Sequence, residues 1–262
     1  GIAEQHAVTA AAGMAMGGMR PVVALYSTFL NRAWDQVVFD VALHRLPVIF
    51  CLDRAGITGD DGPSHHGIYD MALLSKVPGM RVLAPSSTQE VEQMLKDAIT
   101  LANEGPVVIR YPKGVARSVD AADIGLGLAA RKLLTDESNT VCILAIGKMV
   151  GASLDAAALL AAKGISATVW DVRSCAPLDQ SMIDNAAAHQ VVVTVEDGIR
   201  EGGIGMTIED LVSHTTGSHR PSIEVLGIPK QFIPQAKPDV ILSRLGLNAE
   251  GIAATVQRLV HK

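Results

Sequence analysis

The stretch from Arg20 to Asp53, RPVVALYSTFLNRAWDQVVFDVALHRLPVIFCLD, decides the fold class. Residues 20–27, RPVVALYS, form a short apolar run after a proline and read as a strand buried on both faces. Residues 28–45, TFLNRAWDQVVFDVALHR, carry apolar side chains at helical spacing, and LPVIFCLD at 46–53 is a second short apolar run. Strand, helix and strand in succession make a βαβ unit, whose two strands run parallel because the helix carries the chain back across the sheet.

The same alternation continues on both sides. HAVTAAAGMAMGG (6–18) reads as a helix closed by glycines, with Met14, Met16 and Met19 as core filler. After the long loop RAGITGDDGPSHHG (54–67) come a helix IYDMALLSKV (68–77), a strand MRVLAP (80–85), a helix from Ser87 with Glu90 placed for a capping box, and a strand VVIRYP (107–112). Periodicity then fails, and residues 119–138 read as a linker with a short extended segment. Beyond it, TVCILAIGK (140–148), a helix from Val150 to Lys163, SATVWDV (166–172), a short helix after APLDQ, QVVVTVED (190–197), a helix after EGGIG, SIEVLGI (222–228) and a helix from Asn248 repeat the rhythm. The expectation is an α/β protein of two doubly wound domains, 1–118 and 139–262.

Composition narrows the function classes. Hydrophobic residues make up 48% and aromatic residues only 3% of 262, which suits parallel strands covered by helices better than a sandwich. A net charge of -5 with scattered Lys and Arg carries no footprint for nucleic acid. Cys51, Cys142 and Cys175 are far apart and lack CxxC spacing, so they read as buried thiols in a reducing compartment rather than a disulfide frame or zinc site. No apolar run has membrane-spanning length and no signal-peptide pattern opens the chain, so a cytoplasmic location is expected.

Several stretches carry polar groups where chemistry occurs. The loop 54–67 gathers Arg54, Asp60, Asp61, His65 and His66 at the carboxyl end of a strand, where open α/β sheets bind ligands; a solvated turn-rich loop is the alternative. Phe29, Arg32 and Gln36 fall on one helical face, which either lines a pocket or carries a surface Arg. Arg110 closes a buried-type strand just before Pro112, and either grips an anion or pairs with a loop carboxylate. EGGIGMT (201–207) follows a strand and opens a helix, yet lacks the third glycine of a dinucleotide fingerprint and more simply serves close packing. His44, His189, His214, His219 and His261 have no clustered partners and read as surface or helix-end residues.

GIAEQHAV (1–8), YSTFLNRAWDQV, DRAGITGDDGPSHHG, APSS and RYPKG, followed by PLD, VEDG and FIP, closely resemble in this order the 1-deoxy-D-xylulose-5-phosphate synthases, thiamine-diphosphate enzymes of the transketolase family. The resemblance runs the length of the chain and implies a pyrimidine-binding domain followed by a transketolase carboxyl-terminal domain. It gives Glu4 the contact to N1′ of the aminopyrimidine, where a shared proton favours the tautomer that deprotonates thiazolium C2. An apolar surround of Ile2, Ala3, Ala7 and Val8 suits that role. By the same resemblance Phe29 stacks on the pyrimidine with Ile2 and Arg32 close by, and Tyr26, Ser27, Arg54 and Arg110 hold the substrate phosphate. Asp61 and His65 orient substrate and relay protons. The implied reaction condenses pyruvate with D-glyceraldehyde 3-phosphate, giving 1-deoxy-D-xylulose 5-phosphate and CO2.

The chain lacks the GDG-then-Asn motif with which the family binds Mg2+ and the cofactor diphosphate in an amino-terminal domain. The expectation is therefore the carboxyl-terminal part of a longer homodimeric enzyme, inactive alone, holding no metal ligands itself. Two alternatives share the fold: the β subunit of a 2-oxo-acid dehydrogenase, and a non-catalytic dimerisation module. The retained Glu4, Phe29, Asp61 and His65 weigh against the second, since a module freed from chemistry has no need of them. His66 has no role by resemblance and is expected to be a solvent-exposed spacer.

Overall fold

The computed structural model describes residues 2–215 and 220–261. Among the described residues, ten strands form two five-stranded sheets. The first contains β1 (Val22–Tyr26), β2 (Ile49–Asp53), β3 (Arg81–Leu83) and β4 (Val107–Arg110), all parallel, in the order β1-β2-β4-β3. The second contains β5 (Arg131–Leu134), β6 (Val141–Ala145), β7 (Thr168–Asp171), β9 (Val191–Ile199) and β10 (Ser222–Ile228), in the order β10-β9-β6-β7-β5, with β5 antiparallel at the edge. Every residue of β4, β6, β7 and β9 is buried, as continuous apolar runs in a parallel sheet require.

Two strands tie the units together in ways that local pattern does not announce. The short β8 (Ser174–Ala176) follows β7 but pairs antiparallel with β3 of the first sheet. The segment read as linker ends in β5, which closes the edge of the second sheet. A shared apolar layer reinforces this connection, because Val37, Phe50, Leu52 and Val82 of the first unit pack in one cluster with Leu144, Val172, Met182 and Ile204 of the second.

Helices α1 (Glu4–Met16), α2 (Asp70–Leu74), α3 (Thr88–Leu101), α4 (Met149–Ala161), α5 (Gln180–Ala187), α6 (Ile204–His214), α7 (Pro238–Arg244) and α8 (Ala249–Val260) cover the sheets. In α1 the buried stripe is Val8, Ala11, Ala12 and Ala15, a helical spacing that turns Met14 and Met16 outward; with Met19 they are exposed and do not fill the core. Ser87 caps α3 by accepting the Glu90 N–H at 3.1 Å, but the Glu90 side chain leaves the capping box and accepts from Arg173 Nε at 2.8 Å. The helix expected over 28–45 is a 3₁₀ turn, Ser27–Ala33, followed by a π-helical turn, Gln36–Ala42. That change of pitch keeps Leu30, Ala33, Val37 and Val41 buried. No helix among the described residues is long and apolar enough to cross a membrane.

Candidate active site

Tyr26, Asp53 and Arg110 end three neighbouring parallel strands, so the polar groups of the sequence motifs emerge along one sheet edge, where ligands bind in this class of fold. The 3₁₀ turn after Tyr26 repeats every three residues and places Arg32 over Phe29, with its guanidinium carbon 4.5 Å from the ring centroid. Phe29 stacks on Tyr26, centroids 5.4 Å apart and planes inclined by 9°. Arg54 covers the Tyr26 ring at 4.0 Å, and His65 meets the edge of Phe29 at 5.3 Å. Two guanidinium groups thus bracket a pair of stacked rings, with an imidazole against one of them.

Glu4 opens α1 and joins this row through Arg32, whose Nη1 donates to Glu4 Oε1 at 3.2 Å. The other carboxylate oxygen, Oε2, is buried without a hydrogen-bond partner. A buried polar atom left unpaired is costly unless a ligand completes it. Of the residues expected to surround it, Val8 is buried and Ala7 half-buried, whereas Ile2 is 79% exposed and Ala3 exposed, and Arg32 stands beside the carboxylate.

The loop 54–67 closes on itself through reciprocal Gly56 and Gly67 backbone hydrogen bonds of 2.8 Å. Arg54 at its start pairs with Asp53, and Asp61 near its tip accepts from Lys113 Nζ at 3.2 Å. Ser64 carries two ties, accepting from Thr28 Oγ1 at its carbonyl at 3.1 Å and lying 3.0 Å from His65 Nδ1 at its hydroxyl. His66 is not an exposed spacer. It is buried, its Nδ1 accepts the Thr58 N–H at 3.1 Å, and burial lowers its pKa.

Arg110 differs from the other expected site residues. Its side chain is 1% exposed, with Nε donating to Asp70 at 3.1 Å and Nη1 donating to Asp197 at 2.5 Å. Of the two readings the sequence left open, the structure supplies carboxylates; only Nη2 has no partner. Ser27 is buried as well, and its hydroxyl is likewise unpartnered.

Residues 1–118 match the family model for the transketolase pyrimidine-binding domain, and residues 131–252 match that for the transketolase carboxyl-terminal domain. The chain belongs to the transketolase family. Among its curated relatives are proteins named 1-deoxy-D-xylulose-5-phosphate synthase from Leifsonia xyli, 47% identical over 97% of this chain, and Thermobifida fusca, 44% identical over 99%. The chain spans 38% and 41% of the lengths of those two relatives. A similar solved structure, a split-gene transketolase described as an inactive β4 tetramer, superimposes with a TM-score of 0.88 at 29% identity, covering 99% of this chain and 82% of that one.

Within this transketolase-family chain the EGGIG turn has a structural explanation. Glu196 on β9 is fully buried and accepts the N–H groups of Gly205 at 2.8 Å and Ile204 at 3.3 Å, so the α6 N-terminus is already filled by a carboxyl group of the protein's own. A side chain at Gly203 would collide with that carboxyl group and the Ile199 carbonyl, and one at Gly205 with Thr194 and Val225. Burial pushes the Glu196 carboxyl up to about 7.

Among the other expectations, His44, His214 and His261 are exposed. His189 lies just past α5 but is buried, bonded to the Asn185 carbonyl and Thr168 Oγ1. His219 lies outside the described residues. Cys142 and Cys175 are buried and Cys51 is half-buried, all three free. No three metal-ligating side chains converge among the described residues.

Proposed function

We propose that this chain supplies the pyrimidine-side half of a thiamine-diphosphate site. With an amino-terminal domain that provides the Mg2+ and diphosphate ligands, it would convert pyruvate and D-glyceraldehyde 3-phosphate to 1-deoxy-D-xylulose 5-phosphate and CO2. The names of the curated relatives support this reading. It divides the chain into a pyrimidine-binding domain over 1–118, a linker over 119–138 and a carboxyl-terminal domain over 139–262, in a cytoplasmic homodimer.

The observation that carries the proposal is Glu4 Oε2, buried, unpaired, and linked by Arg32 to the stacked rings of Phe29 and Tyr26. Thiamine diphosphate, when bound, supplies an acidic thiazolium carbon and a sink for the electrons released by decarboxylation. Glu4 would hold a proton at Oε2 against the aminopyrimidine while Arg32 fixes Oε1. Phe29 would stack on the pyrimidine in place of the Arg32 guanidinium that covers its outer face here, with Ile2 two residues from Glu4. Arg54, Tyr26 and Ser27 would take the aldehyde's phosphate, with Arg110 adding its one unpaired donor, Nη2. His65 and Asp61 orient the substrate carbonyl and hydroxyl and move protons between them.

The test is Glu4→Ala in the holoenzyme, assayed for pyruvate-dependent condensation. Turnover should fall by roughly 10²- to 10⁴-fold. Its ion pair is with a partly exposed Arg32, so the unfolding midpoint should barely move. Near-wild-type turnover would refute the assignment.

A further inference from the structure

We infer that Asp197, a residue of the second unit, is a positioning residue for the loop that carries Asp61 and His65. The inference rests on the functional reading above for the meaning of those two residues, but its structural basis is independent of it.

The loop's neck belongs to the first unit, where the Ala55 N–H donates to the Tyr111 carbonyl at 3.0 Å. Its floor belongs to the second. Ile57 in the loop and Ile68 just after it are buried in the apolar cluster of Val195, Ile228 and Ile233. The Ile68 carbonyl accepts the Ile199 N–H at 2.8 Å. At Gly59 the backbone approaches Ala236 and Pro238 so closely that a side chain would overlap them. The tightest contact is at Gly56, which has φ +74°: a Cβ there would occupy the position of Asp197 Oδ2.

Asp197 can act as a fixed stop because it is itself held. Its side chain is fully buried, and Oδ1 accepts from Arg110 Nη1 at 2.5 Å, while Asp70 holds the other edge of the same guanidinium. Oδ2 makes no hydrogen bond, so its contact with Gly56 is one of shape and charge. Displacement at Gly56 is passed along a stiff path. Gly56 is bonded reciprocally to Gly67, and Thr58 two residues on is bonded to His66, the neighbour of His65. A carboxylate of the second unit therefore sets the height of catalytic groups in the first.

Two substitutions and one exchange measurement test this. Asp197→Ala in the holoenzyme removes the stop at Gly56 and should lower kcat roughly tenfold to hundredfold while KM for pyruvate changes little, since the reacting groups are misplaced and the pyruvate-binding surface remains. Asp197→Glu keeps the charge for Arg110 but pushes a methylene toward Gly56, and it should not restore kcat. A role confined to pairing Arg110 would be rescued by Glu, which would overturn the inference, as would an unchanged kcat in the Ala variant. Hydrogen exchange needs no catalysis: in the wild-type protein the amides of Ala55, Gly56, Thr58 and Gly67 should be protected comparably to β9. Exchange at free-loop rates would overturn the proposal even where neither variant folds. A wild-type holoenzyme without condensation activity but with a protected loop would instead defeat the functional reading alone.

Discussion

Replacing Glu196 with Gln should flatten a specific part of the pH dependence of stability. The carboxyl is fully buried behind α6, and burial, the largest cause, raises it from 4.5 to about 7, with the N–H groups of Gly205 and Ile204 and the charge of Arg110 pulling the other way and Asp197 adding to the rise. Between those two values the folded state holds a proton that the unfolded state has released. Stability from this group is therefore complete below the unfolded pKa and is lost as pH rises through the folded one. A rise of that size corresponds to about 3 kcal/mol at 1.36 kcal/mol for each unit of pKa. Glutamine cannot ionise, and its carbonyl can still accept the Gly205 N–H. The difference in unfolding free energy, wild type minus Glu196→Gln, should thus fall by about 3 kcal/mol from near pH 4.5 to near pH 7 and stay level outside that window. In a chain of this size that is roughly 6–12 °C in Tm, readable by thermal unfolding monitored by circular dichroism across pH 4–8. Parallel curves for the two proteins would show that Glu196 titrates as an ordinary carboxylate and would refute the reasoning.

Further outcomes follow from the same geometry. Arg54→Ala, which removes the accessible guanidinium over Tyr26, should raise KM for the phosphorylated aldehyde far more than for pyruvate; equal changes in steady-state assays would remove Arg54 from the phosphate site. Arg110→Ala leaves Asp70 and Asp197 buried and unpaired, and should destabilise by about 3–5 kcal/mol in urea unfolding, whereas a loss below about 1 kcal/mol would mean the triad is not the support described.

Much of the first unit was legible locally. RPVVALYS and LPVIFCLD contain β1 and β2, because residues buried on both faces must be apolar in succession, and GIAEQHAV marks the Glu4 site by placing a carboxylate at the start of an alanine-rich helix. The Pro238 start of α7 was also written in the chain, with Pro at the first helical position and Asp239 in the first turn, but seven residues are too few for a periodicity to stand out. His66 gave no such signal. An imidazole beside another in a glycine-rich loop reads as exposed until the second unit's apolar cluster is seen to cover the loop.

The sequence by itself determined the α/β class, the alternation of elements and the residue types at the carboxyl ends of the strands, since these depend on periodicities of two and 3.6 and on which side chains follow a strand. Only the tertiary structure decided which of those residues face one another. Arg110 meets Asp70 and Asp197, 40 and 87 positions away, rather than lying open, and Glu196 fills the α6 N-terminus that the EGGIG glycines left open to a nucleotide reading. Buried charges must find partners, and the choice among several candidate partners is made by how two sheets pack, a long-range outcome that no local spacing encodes.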